Sequence, residues 1–537
     1  MRQREALVLV LIMAAFIIAG LALLPLPFTR DQGIYAYNGW RWLADDTLYL
    51  DTFGHKGPLL YIIYAAGLDL AGGAMWGVNL LDILARAATV GFAYLAAREI
   101  TVRRASLMAA FFTALPLAGV FNSCWWNAQA ETFMLVPLTA SAWLCLRFQK
   151  KKSWPALALA GVIAAQAAML KWSSISHAVF LYLWIVATSS RYLSRQQEMN
   201  PSSPLAKHGF AAGFLAAVGL WLAYLLATGS LFAMWQSAVV FNSFHARAAF
   251  ADFNASTLAL FFIRSIDVFS FMPLLIPALL LKNHAKRIDR GSAFVLIWLA
   301  VSLLQLFMQA RFFLYHYLLI IPPFGIAAAV GLEKLEKRIE DRFSRKTATV
   351  TAGIVLAGLF LVFAQRYYSI AASYDTYAYL TNKIDRQTYW SRFSTDDASG
   401  KGDFNLLASS AAANYVRKNS GPSSKLLVFG YEPLVNYLSA RPAPTRFEID
   451  YPLTFKPRSV KARRCRDKFR KEFMNELKAS PPVLIALVDN DKNAVEPMTS
   501  IRQAEEFDEF RSWLNSNYSQ VEKIEDFRFY RLKGGQD

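Results

Sequence analysis

The stretch ALVLVLIMAAFIIAGLALL, Ala6 to Leu24, follows the basic start Met1-Arg2-Gln3-Arg4 and precedes Arg30-Asp31. It approaches the ~20 apolar residues that a helix needs to cross a bilayer core. It is long and has no A-x-A-like cleavage site, so it reads as a retained signal anchor rather than a cleaved signal peptide. Comparable runs recur downstream, and eleven spans are expected. They cover 6–25, 74–97, 105–121, 129–147, 155–170, 174–190, 209–227, 264–282, 291–309, 312–331 and 347–364.

Composition agrees with a membrane protein. Of the 537 residues, 55% are hydrophobic and only 18% charged, yet the net charge is +18. That excess of cations would suit nucleic acid, but the apolar runs are too long for a soluble binder. Placing the N-terminus inside puts 22 basic residues in the inner segments, from Arg2 and Arg4 to Arg345 and Lys346. Only seven lie in the outer segments before the last span: Arg30, Arg41, Lys56, Lys171, Arg247, Arg264 and Arg311. The distribution obeys the positive-inside rule, and an odd number of spans leaves the C-terminal region outside. Cys124, Cys145 and Cys465 are far apart, which argues against a disulfide framework and a zinc site.

Two outer stretches, 31–68 and 230–262, mix aromatic with polar residues and read as interfacial helices roofing a cavity. Residues 1–365 are expected to form the membrane domain and 366–537 a small α/β domain. In the latter, Leu426–Phe429, Val483–Val488 and Phe527–Tyr530 have strand character, and Ser459–Lys478 and Glu505–Asn517 have helical character. Asp396 to Gly402 reads as a turn.

The polar residues near the spans gather at outer ends. Asp31 and Lys56 lie in the first outer loop, Glu131 opens the fourth span, and Lys171 occupies the turn after the fifth. Arg264 starts the eighth span from outside, and Arg311 and His316 flank the turn after the ninth. Charge is costly near hydrocarbon, so such a gathering points to a shared polar cavity.

Each residue has a plain alternative. Asp31 is either a general base or a solvated acid paired with Arg30, and composition alone favours the second. Lys56, in the turn Gly54-His55-Lys56-Gly57-Pro58, is either a phosphate ligand or a snorkelling lysine. Glu131 contacts a sugar hydroxyl, a cation or Lys171, or is simply a helix N-terminal acid. Arg311 clamps a phosphate or anchors the interface. Asp82 and Arg86, four apart on one helix face, read as a structural pair. No P-loop, GxSxG or HExxH motif is present.

In order along the chain, several segments resemble those of the GT-C membrane glycosyltransferases, in the branch of protein O-mannosyltransferases and lipid A aminoarabinose transferases. They are Asp31-Gln32-Gly33-Ile34-Tyr35-Ala36, Tyr49 through Leu59, Gln129 through Met134, Leu170-Lys171, and Arg311 through Pro323. Leu427 through Pro433, Tyr437 through Arg441 and Thr445-Arg446-Phe447 resemble the tail of bacterial members. The resemblance implies a GT-C fold, a polyprenyl-phosphate sugar donor and an inverting transfer on the outer face of a bacterial cytoplasmic membrane. Asp31 would be the base. Lys56, Arg311 and Lys171 would bind the donor phosphate, and Glu131, His55, His316 and Tyr317 the sugar or acceptor. The acceptor is a lipid, a polysaccharide or a protein. Gln32 departs from the Asp-Glu pair usual in the family. Some relatives use a divalent metal, and no metal ligand is assigned here. A transporter of lipid-linked sugars and a non-catalytic assembly factor are the competing classes.

Overall fold

Inside a bilayer a backbone N–H has no partner but a carbonyl of its own helix, so each long apolar run becomes helical. The computed structural model describes residues 3–119, 127–196, 208–269, 272–280, 288–368, 371–394, 404–493 and 495–534. Cys124 and the expected turn Asp396–Gly402 lie outside these residues.

The helices are α1 (Gln3–Leu21), α2 (Arg30–Leu43), α3 (Pro58–Leu70), α4 (Trp76–Ile100), α5 (Arg103–Gly119), α6 (Ala130–Lys151), α7 (Trp154–Leu170), α8 (Ile175–Gln196) and α9 (Gly209–Ala227). Then come α10 (Leu231–Met234), α11 (Asn242–Ala251), α12 (Ala255–Phe269), α13 (Arg290–Gln309), α14 (Ile321–Glu340) and α15 (Arg345–Tyr368). Helices therefore fall on the expected spans, and α2, α3 and α10 to α12 occupy the stretches expected to be interfacial. Among the described residues, α1, α4, α9, α13 and the run Leu314–Glu340 are long and apolar enough to cross a membrane. The eighth span differs from expectation. Helix α12 begins at Ala255 rather than 264, and Met272–Leu280 is a 3-10 helix. Pro273 and Pro277 supply no N–H, which disfavours a continuous α-helix there.

The chain divides into two compact units. Met1–Leu24, Asn79–Tyr224 and Ala249–Ser373 form the first. Pro25–Val78, Leu225–Ala248 and Tyr374–Asp537 form the second. In the first unit, α7 and α9 approach through Gly161 and Gly213, where a Cβ would collide with the carbonyls of Phe210 and Ala158. Small residues at such crossings let helix backbones meet in a membrane.

The second unit is built on a sheet of β1 (Leu426–Phe429), β2 (Leu484–Val488), β3 (Tyr518–Ile524) and β4 (Phe527–Leu532), in the order β1-β2-β4-β3. Strands β1 and β2 are parallel, and the other pairings are antiparallel. Successive side chains of a strand point to opposite faces. Leu427, Phe429, Ile485 and Leu487 pack on helices α21 (Val460–Ala479) and α23 (Asp508–Asn517), between which lies α22 (Ser500–Glu505). Leu426, Val428, Leu484 and Ala486 face α18 (Leu406–Asn419). Ahead of α18 lie α16 (Ala371–Leu380) and α17 (Arg386–Ser391), and after β1 come α19 (Leu434–Ser439) and α20 (Tyr451–Thr454).

The stretch between α2 and α3 belongs to the core of this unit. Phe53 is fully buried, with its ring 5.4 Å from Phe241, 5.4 Å from Phe447 and 5.3 Å from Phe469.

Candidate functional site

The expected site residues are divided between the two units. In the second unit, Asp31 stands in the first turn of α2 and is half-buried. Helix α2 starts with a capping box, in which the Thr29 N–H donates to Gln32 Oε1 at 3.2 Å. Thr-x-x-Gln is a helix-start signature, so Gln32, the departure from the family pattern, has a local task here. Arg30 is buried and paired, but with a residue of the tail. Its Nη2 lies 2.9 Å from Glu432 Oε1, and its Nε donates to the same oxygen at 3.0 Å. The charge of Asp31 also acts on Arg30. An Arg30–Asp31 surface pair is thus too simple a picture.

At the other end of the loop, His55 and Lys56 are half-buried and follow Gly54, whose φ of +49° suits glycine. Pro58 opens α3 two residues after Lys56, where its missing N–H costs nothing. Side chains brace the turn. Tyr49 Oη donates to the Lys56 carbonyl at 2.8 Å, the Lys56 N–H donates to Tyr61 Oη at 3.0 Å, and Asn242 Nδ2 donates to the His55 carbonyl at 2.6 Å. Tyr49 itself has a φ of +71°, an uncommon conformation for a bulky residue that persists where the surroundings over-determine it.

A second tail carboxylate holds this end. Glu448 accepts from the N–H of Phe53 at 2.7 Å, from the N–H of Gly54 at 3.2 Å and from Asn38 Nδ2 at 3.0 Å. Arg446 Nη1 donates to the Tyr49 carbonyl at 3.2 Å. Burial pushes the Glu448 carboxyl up, opposed by these bonds. Burial also pushes Glu432 up to about 7, against the pull of Arg30. Sequence reasoning gave Glu432 and Glu448 no role. The available signal was an acid between two core residues, Phe447-Glu448-Ile449.

In the first unit, Glu131, Lys171 and His316 come together. Glu131 lies in the first turn of α6, where the helix dipole favours an acid, and it is buried. Lys171 Nζ donates to Glu131 and, at 2.5 Å, to Gln309 Oε1. His316 Nε2 is 3.9 Å from the same Glu131 oxygen. Of the readings open for Glu131, the helix N-terminal acid and the partner of Lys171 both describe it. Gln305 ties the turn after Lys171 to α13, donating to Ser176 Oγ at 2.8 Å and to the Ser173 carbonyl at 3.3 Å. Sequence reasoning missed both glutamines, which lie four apart on one helix face.

Arg311 is half-buried between Ala310 and Phe312, whose φ values are +52° and +48°. Ala310 ends α13 in the left-handed conformation common at helix C-termini. Phe312 is the bulkier exception, and its carbonyl accepts from Arg264 Nη1. Tyr317 is buried and donates to the Phe261 carbonyl at 3.0 Å. The expected structural pair also forms. Arg86 Nε is 2.9 Å from Asp82 Oδ2, and Asp82 Oδ1 accepts the Ala128 N–H at 3.0 Å. Among the described residues no group of three or more His, Cys, Asp or Glu side chains could hold a metal ion.

Residues 55–199 match the family model described as dolichyl-phosphate-mannose-protein mannosyltransferase. The fold is similar to that of ArnT from Cupriavidus metallidurans bound to undecaprenyl phosphate, with a TM-score of 0.56 and 14% identity. That alignment covers 98% of this chain and 99% of the ArnT chain. The apo state of the same ArnT gives a TM-score of 0.52 at 16% identity, covering 97% of each chain. A search of curated protein sequences finds no match. The fold is thus that of the ArnT structures, largely helical with a four-stranded sheet in the C-terminal part. The alignment spans essentially the full length of both chains, tail included.

Proposed function

We propose that this protein transfers a sugar from a polyprenyl-phosphate donor to an acceptor hydroxyl on the outer face of a bacterial cytoplasmic membrane. In this reading residues 1–365 are the membrane domain, with a cytoplasmic N-terminus, and residues 366–537 are extracytoplasmic. The observation that carries it is the end-to-end likeness to a structure solved with undecaprenyl phosphate, together with the family model over residues 55–199.

Asp31 serves as the base. Its carboxylate takes the acceptor O–H proton, and the acceptor oxygen bonds to the anomeric carbon from the face opposite the phosphate. The bond from that carbon to the phosphate oxygen breaks, and polyprenyl phosphate leaves with the electron pair, so the anomeric configuration inverts. Lys56, Arg311 and Lys171 bind and stabilise the departing phosphate, because cations placed where charge develops lower the barrier. His55, Glu131, His316 and Tyr317 contact the sugar or the acceptor, which is a lipid, a polysaccharide or a protein.

Two measurements test the reading. Mass spectrometry of envelope glycans and glycolipids with and without the gene should show one missing sugar. Purified protein given that donor should release one polyprenyl phosphate per sugar transferred. Movement of a lipid-linked sugar across vesicles without covalent transfer would instead support a transporter.

A further inference from the structure

We infer that Glu432 and Glu448 are positioning residues for the proposed transfer, Glu432 acting through Arg30 on Asp31 and Glu448 acting through the Phe53–Gly54 turn on Lys56. The inference rests on the function proposed above and adds a task for the C-terminal part of the chain. The two carboxylates flank the segment from Pro433 to Phe447, and each reaches one end of the loop that carries the proposed base and phosphate ligand.

At the Asp31 end, Arg30 is a buried cation shared among carboxylates. Glu432 pairs with it directly at 2.9 Å, and Asp491 and Asp31 also act on its charge. The rings of Phe404 and Tyr431 lie 5.7 and 6.0 Å from the guanidinium carbon, and Asp526 acts on Glu432. A base must keep its affinity for a proton. An Arg30 neutralised from the tail leaves Asp31 that affinity. Loss of the Glu432 charge leaves more of the Arg30 charge acting on Asp31, which lowers the affinity of its carboxylate for a proton.

At the Lys56 end, the contacts of Glu448 are to backbone. The carboxylate accepts from two successive N–H groups, Phe53 and Gly54, and from Asn38 on α2. Two residues later the chain reaches Lys56, whose carbonyl and N–H are already held by Tyr49 and Tyr61. The orientation of this turn decides where the lysine charge is presented. Van der Waals packing alone would not require a carboxylate here, since Phe53 is already anchored by three rings.

The two arms predict different kinetic signatures. With the purified full-length protein in lipid nanodiscs, Glu448→Gln weakens binding of undecaprenyl phosphate by roughly tenfold, about the worth of one charge-assisted hydrogen bond. In a Lys56→Met background the same change has little further effect. Glu432→Gln leaves undecaprenyl-phosphate binding unaltered, lowers kcat above pH 7 by about 10- to 100-fold, less than removal of the base itself, and removes the part of the pH–rate profile that follows ionisation of Glu432 near pH 7. Glu432→Asp restores part of kcat.

The inference is overturned if both Gln variants lose binding and turnover in parallel with folded protein, as purely structural pairs would. It is also overturned if Glu432→Gln leaves the pH profile unmoved, or if the Glu448 and Lys56 effects are additive. A wild-type protein that binds undecaprenyl phosphate but transfers no sugar would sink the proposed function while leaving the Glu448 arm readable.

Discussion

Arg30 and Glu432 stand 402 positions apart in the chain and form a buried ion pair, with Nη2 2.9 Å from Oε1. The residue after Arg30 is the proposed base, and the residue before Glu432 is Tyr431, whose N–H reaches Asp491. The tail of the chain is thus joined to the stretch from α2 to α3 by charge, while Phe53 joins it through the aromatic core.

The buried carboxyls of this unit predict a pH dependence of stability. Glu432, Glu448, Asp450, Asp491 and Glu496 are all pushed above the ordinary carboxylate range, with burial the largest cause in each. The unfolded chain releases these protons near the ordinary range, whereas the folded chain holds them to higher pH. For Glu432 the window runs from that range to about 7. Within it the folded state binds more protons, so stability falls as pH rises. Thermal unfolding of the second unit should therefore start at a lower temperature at pH 8 than at pH 6. An unfolding temperature that climbs over this interval would contradict it.

Phe53 predicts how far the loop contributes to the tail's core. Phe53→Ala should cost about 3–5 kcal/mol, the range for a large aromatic removed from a close-packed site. Limited proteolysis of the purified variant should cut the tail faster than in the wild type. Equal cleavage rates would mean that Phe53 does not anchor the loop.

Glu131 and Lys171 predict non-additive changes. Lys171→Met leaves Glu131 buried with a cation removed, at a cost of about 3–5 kcal/mol. Glu131→Gln with Lys171→Met should recover much of that loss, since no uncompensated charge remains. Unfolding midpoints in detergent for the two single variants and the double variant test this, and simple additivity would rule out the coupling.

The long helices were largely legible in the sequence because an apolar run declares itself by length and composition. The broken eighth span shows the limit. Pro273 and Pro277 interrupt the helix within a run whose hydropathy stays high, and hydropathy does not register a missing N–H. Strand β3 was missed for another reason. It lies at the sheet edge, and Ser519 to Lys523 are exposed on both faces, so no apolar alternation marks it.

At the candidate site, Asp31, Lys56, Glu131 and Lys171 were singled out by their gathering at outer span ends, and only the order of the family-like segments gave Asp31 its expected role. Glu432 and Glu448 were not singled out, since their partners lie about 400 residues away. Nothing local in Gly430-Tyr431-Glu432-Pro433 tells a buried carboxylate from a solvated one. Only the folded chain brings Arg30 and the Phe53–Gly54 amides to them.

Asp31→Asn provides the most direct test. The substitution keeps the size of the side chain and removes its basicity, and general bases contribute about 100- to 10,000-fold in rate. In membranes supplied with the polyprenyl-phosphate sugar, the variant should insert and accumulate like the wild type, bind undecaprenyl phosphate, and transfer sugar at least ~100-fold more slowly. Transfer at the wild-type rate by a correctly inserted Asp31→Asn protein would contradict the assignment of Asp31 as the base.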